Sequence, residues 1–182
     1  MAAHSNISIS VSGPGTGPGI AALIDGTTDI AQASRPITQN ETAQAEAKGV
    51  HPYEIHVAND GLAVVVNPSN NVSELTTAQL SAIYTCKITN WREVGGKDAP
   101  IVVLSRDTNS GSHDFFLQRV VQMQGLPTEN KTLQYGPCVL FLPSTEAGVT
   151  EVAQNPNAIF YAGLGYITNQ TKVVALKKTA SD

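Results

Sequence analysis

Charged residues are scarce in this chain, at 14% of its 182 residues, and small or polar residues take their place. Such a composition is common in exported proteins. The net charge of −4 and the lack of a basic run argue against a nucleic-acid-binding protein. No apolar run approaches the length that crosses a bilayer. The N-terminus lacks a basic segment followed by an apolar core, so the pattern predicts no signal peptide in this chain.

Cysteine is nearly absent too, with only Cys86 and Cys138. These two residues form either one disulfide in an oxidising compartment or two small buried thiols, and their spacing does not decide between the two. The four histidines show no ligand spacing with the cysteines. The sequence therefore predicts no metal site and no cofactor.

The chain does contain apolar strand patterns that alternate with helix patterns. Strands are predicted at 7–12, 28–34, 53–59, 61–68, 101–105, 158–167 and 172–178. Helices are predicted at 20–24, 40–49, 76–85, from the turn after 105 to about 124, and at 144–156. This alternation predicts an α/β fold with mostly parallel sheets, in one domain or two small lobes.

The stretch "SRDTNSGSHDFF", residues 105–116, carries the strongest chemical signal. Arg106 ends a predicted strand, and Ser110, Gly111 and Ser112 open the next helix. Unpaired helix N–H groups, a close-approach glycine, hydroxyl donors and a guanidinium fork are together the donors that bind an oxyanion. The alternative is that Ser110 is an ordinary N-cap and Arg106 a solvated charge.

Two other strand ends match this pattern more weakly. Thr16 and Gly17 lie in the loop "GPGTGPG", which lacks the lysine of a Walker loop and the spacing of a dinucleotide fold, and which alone is more often just a turn. Ser34 and Arg35 follow the predicted strand at 28–34. Ligands of parallel α/β sheets bind at such carboxyl ends, so these residues are further candidates.

Asp107 needs a separate explanation, because a carboxylate beside an anion site is repulsive. It can accept a hydrogen from an anion that still carries a proton, as hydrogen phosphate does and sulfate does not. The alternative is a surface pair with Arg106 or Lys97. No nucleophile–base arrangement stands out, so the sequence predicts no enzyme.

With these residues in view, the chain resembles the phosphate-binding proteins of ABC transporters, which have the type II periplasmic-binding fold. The resemblance covers most of residues 15–167 and is carried by "GTGPGIAALIDGTTDIAQASRPI", "VANDGLAVVVNPSNNVSELTTAQLSAIYTCKITNWREVGG", "APIVVLSRDTNSGSHDFF" and "GVTEVAQNPNAIFYAGLGYI".

The resemblance implies two lobes joined by crossing strands, with an oxyanion bound by lobe closure. Residues 1–60 with 168–182 would form a partial first lobe, and 61–167 the second. Carried over by position, the ligand contacts are Thr16, Gly17, Ser34, Arg106, Ser110, Gly111 and Ser112, with Asp107 as acceptor of a phosphate proton. Arg35 is a further contact that adds positive charge if it points inward, whereas Ser34 acts alone if Arg35 points outward. An ABC-transporter permease would be the partner, and the location periplasmic or extracellular.

The chain also departs from the resemblance. It begins at what resembles the family's second strand, without a first anion loop, and stops soon after "VVALKK". The first lobe is therefore expected to be incomplete at both ends. Because an incomplete sheet exposes an edge, we expect self-association or strand exchange. The alternative function is a structural or interaction protein on this scaffold that has lost ligand binding.

Overall fold

The computed structural model describes residues 7–13 and 15–177. Its chain divides into two units, residues 1–53 and 54–182, each with its own internal contacts. Within the described part, no helix has the length and apolarity that a bilayer crossing requires.

A six-stranded sheet forms the centre of the second unit. Its strands are β1 (Leu62–Val66), β2 (Glu74–Thr76), β3 (Val102–Arg106), β4 (Val139–Leu142), β5 (Ala158–Gly163) and β6 (Lys172–Lys177), in the spatial order β2-β6-β1-β5-β3-β4. β3 is parallel to β4 and β5, and β2 is parallel to β6, whereas β1 is antiparallel to β5 and β6. The sheet is thus mixed but mostly parallel, which confirms the predicted α/β class.

Helices cover both faces of this sheet. They are α3 (Thr77–Tyr84), α4 (Gly111–Phe116), which continues into a π-helical turn at Leu117–Val121, and α5 (Thr145–Gln154). Val64 and Tyr161 pack into one apolar core with α3 and α4, while Val65 and Phe160 pack into a second core with α5. Neighbouring residues of β1 and β5 point to opposite faces, so both strands are buried on both sides, as the continuous apolar run at 61–68 predicts.

The described residues of the first unit contain two helices, α1 (Thr16–Ile24) and α2 (Gln39–Ala47). Ile20 and Ile24 of α1 pack against Ala45 of α2 in a small apolar core. α2 begins at a capping box, in which the Thr38 side chain accepts the Glu41 N–H and the Glu41 carboxylate accepts the Thr38 N–H. Such reciprocal bonds satisfy donors that a helix start otherwise leaves unpaired.

Three strand predictions are wrong for the described residues. Residues 7–12, 28–34 and 53–59 form no strand in the structure, and their apolar side chains are exposed: Ile9 by 67%, Ile30 by 81% and Val57 by 88%. Alternation of apolar and polar residues indicates which side chains could share one face of a strand. A strand also requires a neighbouring strand whose backbone can form hydrogen bonds with it. No such neighbour pairs with these segments in the described part of the chain.

The assignment of residues 168–182 to the first lobe is also corrected. β6 pairs with β1 through Val174↔Val64 and with β2 through Leu176↔Leu75, inside the sheet of the second unit. Val174 is 2% exposed in the core of that unit, which is the packing reason for its position. Residues 178–182 lie outside the described residues.

The two cysteines are joined. Cys86 follows α3 and Cys138 precedes β4, with an S–S bond and Cα atoms 6.0 Å apart. The Cys138 N–H also donates to the Cys86 sulfur at 3.1 Å. Of the two readings left open by the sequence, the disulfide is the one the structure contains.

Candidate functional site

Arg106 is the last residue of β3, and its guanidinium is held by the start of α5. Nη1 donates to the Thr145 hydroxyl at 2.9 Å, and Nη2 donates to the Pro143 carbonyl at 3.0 Å. Nε is buried, and among the described residues it has no hydrogen-bond partner. A buried, unpartnered donor on a cation is costly, because it gives up hydration without a replacement bond.

The turn after Arg106 is built by Asp107. Its carbonyl accepts the Ser110 N–H at 3.1 Å, and its carboxylate accepts the Asn109 N–H at 3.2 Å. Its own N–H donates to the Leu142 carbonyl of β4 at 3.1 Å. Asp107 therefore shapes the loop that joins β3 to α4. This local bonding neither uses nor excludes the predicted role as acceptor of a phosphate proton.

The loop brings the predicted serines to the beginning of α4. Ser110 is the N-cap residue and is 5% exposed, yet its side chain makes no capping hydrogen bond. Gly111 is buried and Ser112 half-buried in the first turn. Arg106, Asp107, Ser110, Gly111 and Ser112 thus lie within one strand–turn–helix segment, as the sequence predicts.

A tyrosine cluster lies behind this segment. The Tyr161 hydroxyl of β5 is 2.8 Å from the Ser105 hydroxyl and accepts the Arg106 N–H at 3.2 Å. The Tyr135 hydroxyl donates to the His113 carbonyl in α4 at 3.1 Å. Burial raises the pKa of Tyr161 and of Tyr135 further above neutrality than that of an ordinary tyrosine, which is itself protonated at neutral pH.

The carboxylate of Glu146 interacts electrostatically with the Arg106 guanidinium. The pKa of Glu146, in the first turn of α5, is lowered by its own backbone N–H and the Ser144 hydroxyl, with smaller contributions from Tyr166 and the charge of Arg106. The surroundings of Arg106 therefore include a negative charge as well as donors.

The first unit brings together two of its predicted site residues. The Thr16 hydroxyl, 5% exposed at the start of α1, accepts the Ser34 N–H at 3.2 Å. Gly17 follows in the same first turn, and the N-cap residue Gly15 supplies no side-chain cap. Pro18 occupies the next position, where a missing N–H costs little because helix starts lack partners anyway.

Arg35 is placed differently from its neighbour Ser34. Its guanidinium donates to both carboxylate oxygens of Glu41 at 2.9 Å, and also to the Pro36 carbonyl at 3.1 Å. This ion pair and the Thr38 bonds lower the pKa of Glu41 to about 2, with the Arg35 bond the largest cause. The ion pair with Glu41 connects Arg35 to α2. The role of Arg35 in ligand binding stays a prediction.

Several residues around Arg106 were not identified from the sequence. Thr145, the Pro143 carbonyl, Tyr161 and Ser105 all contact Arg106 in the structure. Thr145 follows the recognisable cap Ser144, which was the available signal for a helix start near a strand end. Nothing local in the sequence indicates that Tyr161 lies beside Arg106, because the two are 55 residues apart.

Comparison with known proteins identifies related chains. The family model of the PBP superfamily domain matches residues 1–181. The phosphate-binding protein PstS of Staphylococcus epidermidis is 34% identical over 178 residues, which are 96% of this chain and 51% of the relative. The chain spans about half the length of the curated relatives it matches.

Solved structures agree with this match. A phosphate ABC transporter substrate-binding protein from Clostridium perfringens, solved with bound phosphate, is 31% identical with a TM-score of 0.77, and the match covers 98% of this chain and 68% of that one. An ABC-type phosphate transport receptor from Vibrio cholerae is 30% identical with a TM-score of 0.67 over the same shares.

Proposed function

The chain belongs to the PBP superfamily, and we propose that it binds phosphate or a similar tetrahedral oxyanion with Arg106 as the central contact. The observation that carries the proposal is the buried Nε of Arg106, which has no partner among the described residues. An anionic oxygen would complete its hydrogen bonding if ligand binding moves the atoms that now bury Nε, and related proteins are named for phosphate. Those names describe binding and transport, so we propose a binding protein and not an enzyme.

The held guanidinium suits this role. Thr145 and Pro143 fix its two terminal nitrogens, so little side-chain freedom remains to be lost when a ligand binds. The further donors proposed in this unit are Gly111, Ser112 and the hydroxyl of Ser110, which makes no capping hydrogen bond. Thr16, Gly17 and Ser34 are the donors proposed in the first unit.

Asp107 is proposed as the group that distinguishes anions by protonation. Its carboxylate accepts one N–H, from Asn109, and carboxylate oxygens have several lone-pair sites. A second bond from a phosphate hydroxyl is therefore compatible with the turn that Asp107 builds. Sulfate has no such hydrogen at neutral pH, so it should bind more weakly than phosphate or arsenate.

Titration calorimetry tests the proposal. The chain should release or absorb heat saturably with phosphate, and Arg106→Ala should cost about 2–4 kcal/mol of binding free energy through the loss of a charge-assisted contact. Arg92→Ala is the matched control, because Arg92 carries the same charge in an exposed pair with Asp98. Unchanged affinity in Arg106→Ala, or an equal loss in Arg92→Ala, would rule out this site.

We also propose that the protein works outside the cytoplasm, with an ABC-transporter permease as its partner. The disulfide between Cys86 and Cys138 supports an oxidising compartment, since reducing cytosol keeps most thiols free. The transporter role is suggested by the names of the Clostridium perfringens and Vibrio cholerae proteins. Co-purification with a permease, dependent on phosphate, would support it.

A second candidate function is interaction through self-association. The segments 7–12 and 53–59 keep alternating apolar side chains exposed, among them Ile7, Ile55 and Val57. Exposed apolar rows of this kind pair with strands from another chain. We propose that a second copy of this chain supplies that partner.

A further inference from the structure

We infer that Tyr161 is a positioning residue for the proposed anion site: its hydroxyl, together with Ser105, fixes the backbone of Arg106 at the end of β3. The inference rests on the proposed function, because it concerns how the anion-binding arginine is held. Tyr161 lies on the central strand β5, is 1% exposed, and is stacked against Phe116 with ring centroids 4.1 Å apart.

The strand ladder explains why the backbone of Arg106 needs a side-chain partner. β3 pairs with β5 only through Val102↔Ala158 and Val103↔Ile159. By Arg106 this ladder has ended, so no β5 carbonyl accepts the Arg106 N–H. The Tyr161 hydroxyl accepts it instead, at 3.2 Å. Tyr161 thereby extends the attachment of β3 to β5 as far as the proposed site.

The directions of these hydrogen bonds, assigned from the number of protons on each hydroxyl, form a closed ring. The Ser105 hydroxyl donates to the Arg106 carbonyl at 3.0 Å, which uses its single proton. Its oxygen is then an acceptor for the Tyr161 O–H at 2.8 Å. The ring runs from the Arg106 N–H to Tyr161, to Ser105 and back to the Arg106 carbonyl, so both backbone polar groups of Arg106 are satisfied.

A second hydroxyl connects the ring to α4. The Tyr135 hydroxyl lies 3.5 Å from the Tyr161 hydroxyl and donates to the His113 carbonyl. Ser110 begins the same helical turn, since its carbonyl accepts the His113 N–H at 3.0 Å. The tyrosine pair therefore contacts both parts of the proposed second-unit site, the arginine and the serine-bearing turn.

Tyr84 provides a matched control. Its ring is in the same aromatic cluster, 6.2 Å from the Tyr161 ring, and it is also fully buried. Its hydroxyl donates to the Leu104 carbonyl, two residues before Arg106 on β3. Tyr84→Phe thus removes one buried hydroxyl from the same core and leaves the hydrogen bonds among Arg106, Tyr161 and Ser105 intact.

The test compares phosphate affinity in Tyr161→Phe, Ser105→Ala, their double variant and Tyr84→Phe. Tyr161→Phe should weaken binding roughly three- to tenfold, the effect of one hydrogen bond, while Tyr84→Phe should bind like the parent chain. Tyr161 and Ser105 act through the same ring of hydrogen bonds. The double variant should therefore have the same phosphate affinity as whichever single variant binds phosphate more weakly. Equal affinity in Tyr161→Phe and Tyr84→Phe, or losses that add in the double variant, would overturn the inference.

A measurement without ligand separates this inference from the proposed function. Amide hydrogen exchange at Arg106 should be faster in Tyr161→Phe and unchanged in Tyr84→Phe, because only the first loses the acceptor of that N–H. If the parent chain binds no phosphate, the proposed function fails, and the exchange result still decides whether Tyr161 holds Arg106. Unchanged exchange at Arg106 in Tyr161→Phe contradicts the inference whether or not phosphate binds.

Discussion

Gly148 shows how one missing side chain permits the packing beside the proposed site. It lies in α5, and a Cβ built there would be 2.2 Å from Cε1 and 2.3 Å from Cζ of Phe160. Phe160 is fully buried and stacked on Tyr161, with ring centroids 5.3 Å apart. Because Phe160 is fully buried in the core that packs against α5, its ring cannot move aside without disturbing that core.

We predict that Gly148→Ala destabilises the chain. Alanine favours a helix by about 1 kcal/mol over glycine, but overpacking a core costs roughly 1–3 kcal/mol and should outweigh that gain. Urea unfolding should show a lower free energy of unfolding, and Gly165→Ala, where nothing lies within 4 Å, should change it little. A Gly148→Ala variant as stable as the parent would contradict this packing argument.

At the scale of elements, α2 depends on a charged network at its first turn. The Glu41 carboxylate binds the Arg35 guanidinium and the Thr38 N–H, and it carries a pKa of about 2 against an ordinary 4.5. A lowered folded-state pKa stabilises the fold above the unfolded pKa and loses that contribution as pH falls towards the folded one. The window of loss therefore lies between about pH 5 and pH 2.

We predict that Glu41→Gln removes this pH dependence. The Glu41 side chain is 21% exposed, so after solvent screening its contribution at neutral pH should be about 1–2 kcal/mol. Denaturation followed by circular dichroism at pH 6 and pH 3 should show a larger stability loss in the parent chain than in Glu41→Gln. Parallel losses in both chains would show that other groups dominate.

Elements with a clear burial pattern could be predicted from the sequence, and others could not. The apolar run at 61–68 and the run at 101–105 became β1 and β3, because strands buried on both faces need continuous apolar side chains. β2 has three residues, too few to show a period, and β4 has four. The alternation at 7–12 predicted a strand wrongly because pairing depends on a neighbour that local sequence does not specify.

The same limit applies to the candidate site. Arg106, Ser110, Gly111 and Ser112 were identified because they are adjacent along the chain, at one strand–helix junction. Thr145 and Tyr161 contact Arg106 from 39 and 55 residues away, so only the sheet brings them together. Thr16 and Ser34, 18 residues apart, were predicted individually and meet in the structure.

At the scale of the whole molecule, exposed apolar segments predict association. Light scattering after size exclusion should give a mass above the 19.1 kDa of one chain, rising with concentration. Replacing Ile55 and Val57, 70% and 88% exposed, with serine should lower that mass, because it removes apolar area from the proposed contact. Phe115→Ser, at a 45% exposed residue on α4, should leave it unchanged.

A constant mass of one chain at high concentration would contradict self-association. It would leave the anion-binding proposal untouched, because none of the proposed ligand contacts belongs to the exposed segments 7–12 and 53–59. The two candidate functions are therefore separable by measurement.

The most direct test of the central claim follows the Arg106 Nε–H by NMR. In a ¹⁵N-labelled chain, with the signal assigned by its loss in Arg106→Lys, phosphate should shift the Arg106 Nε–H signal saturably and leave that of Arg92 nearly unmoved. Such a shift would identify the anion as the missing partner of this buried donor. An Arg106 Nε–H signal that stays constant while phosphate binds, or a chain that binds no phosphate, would contradict the account.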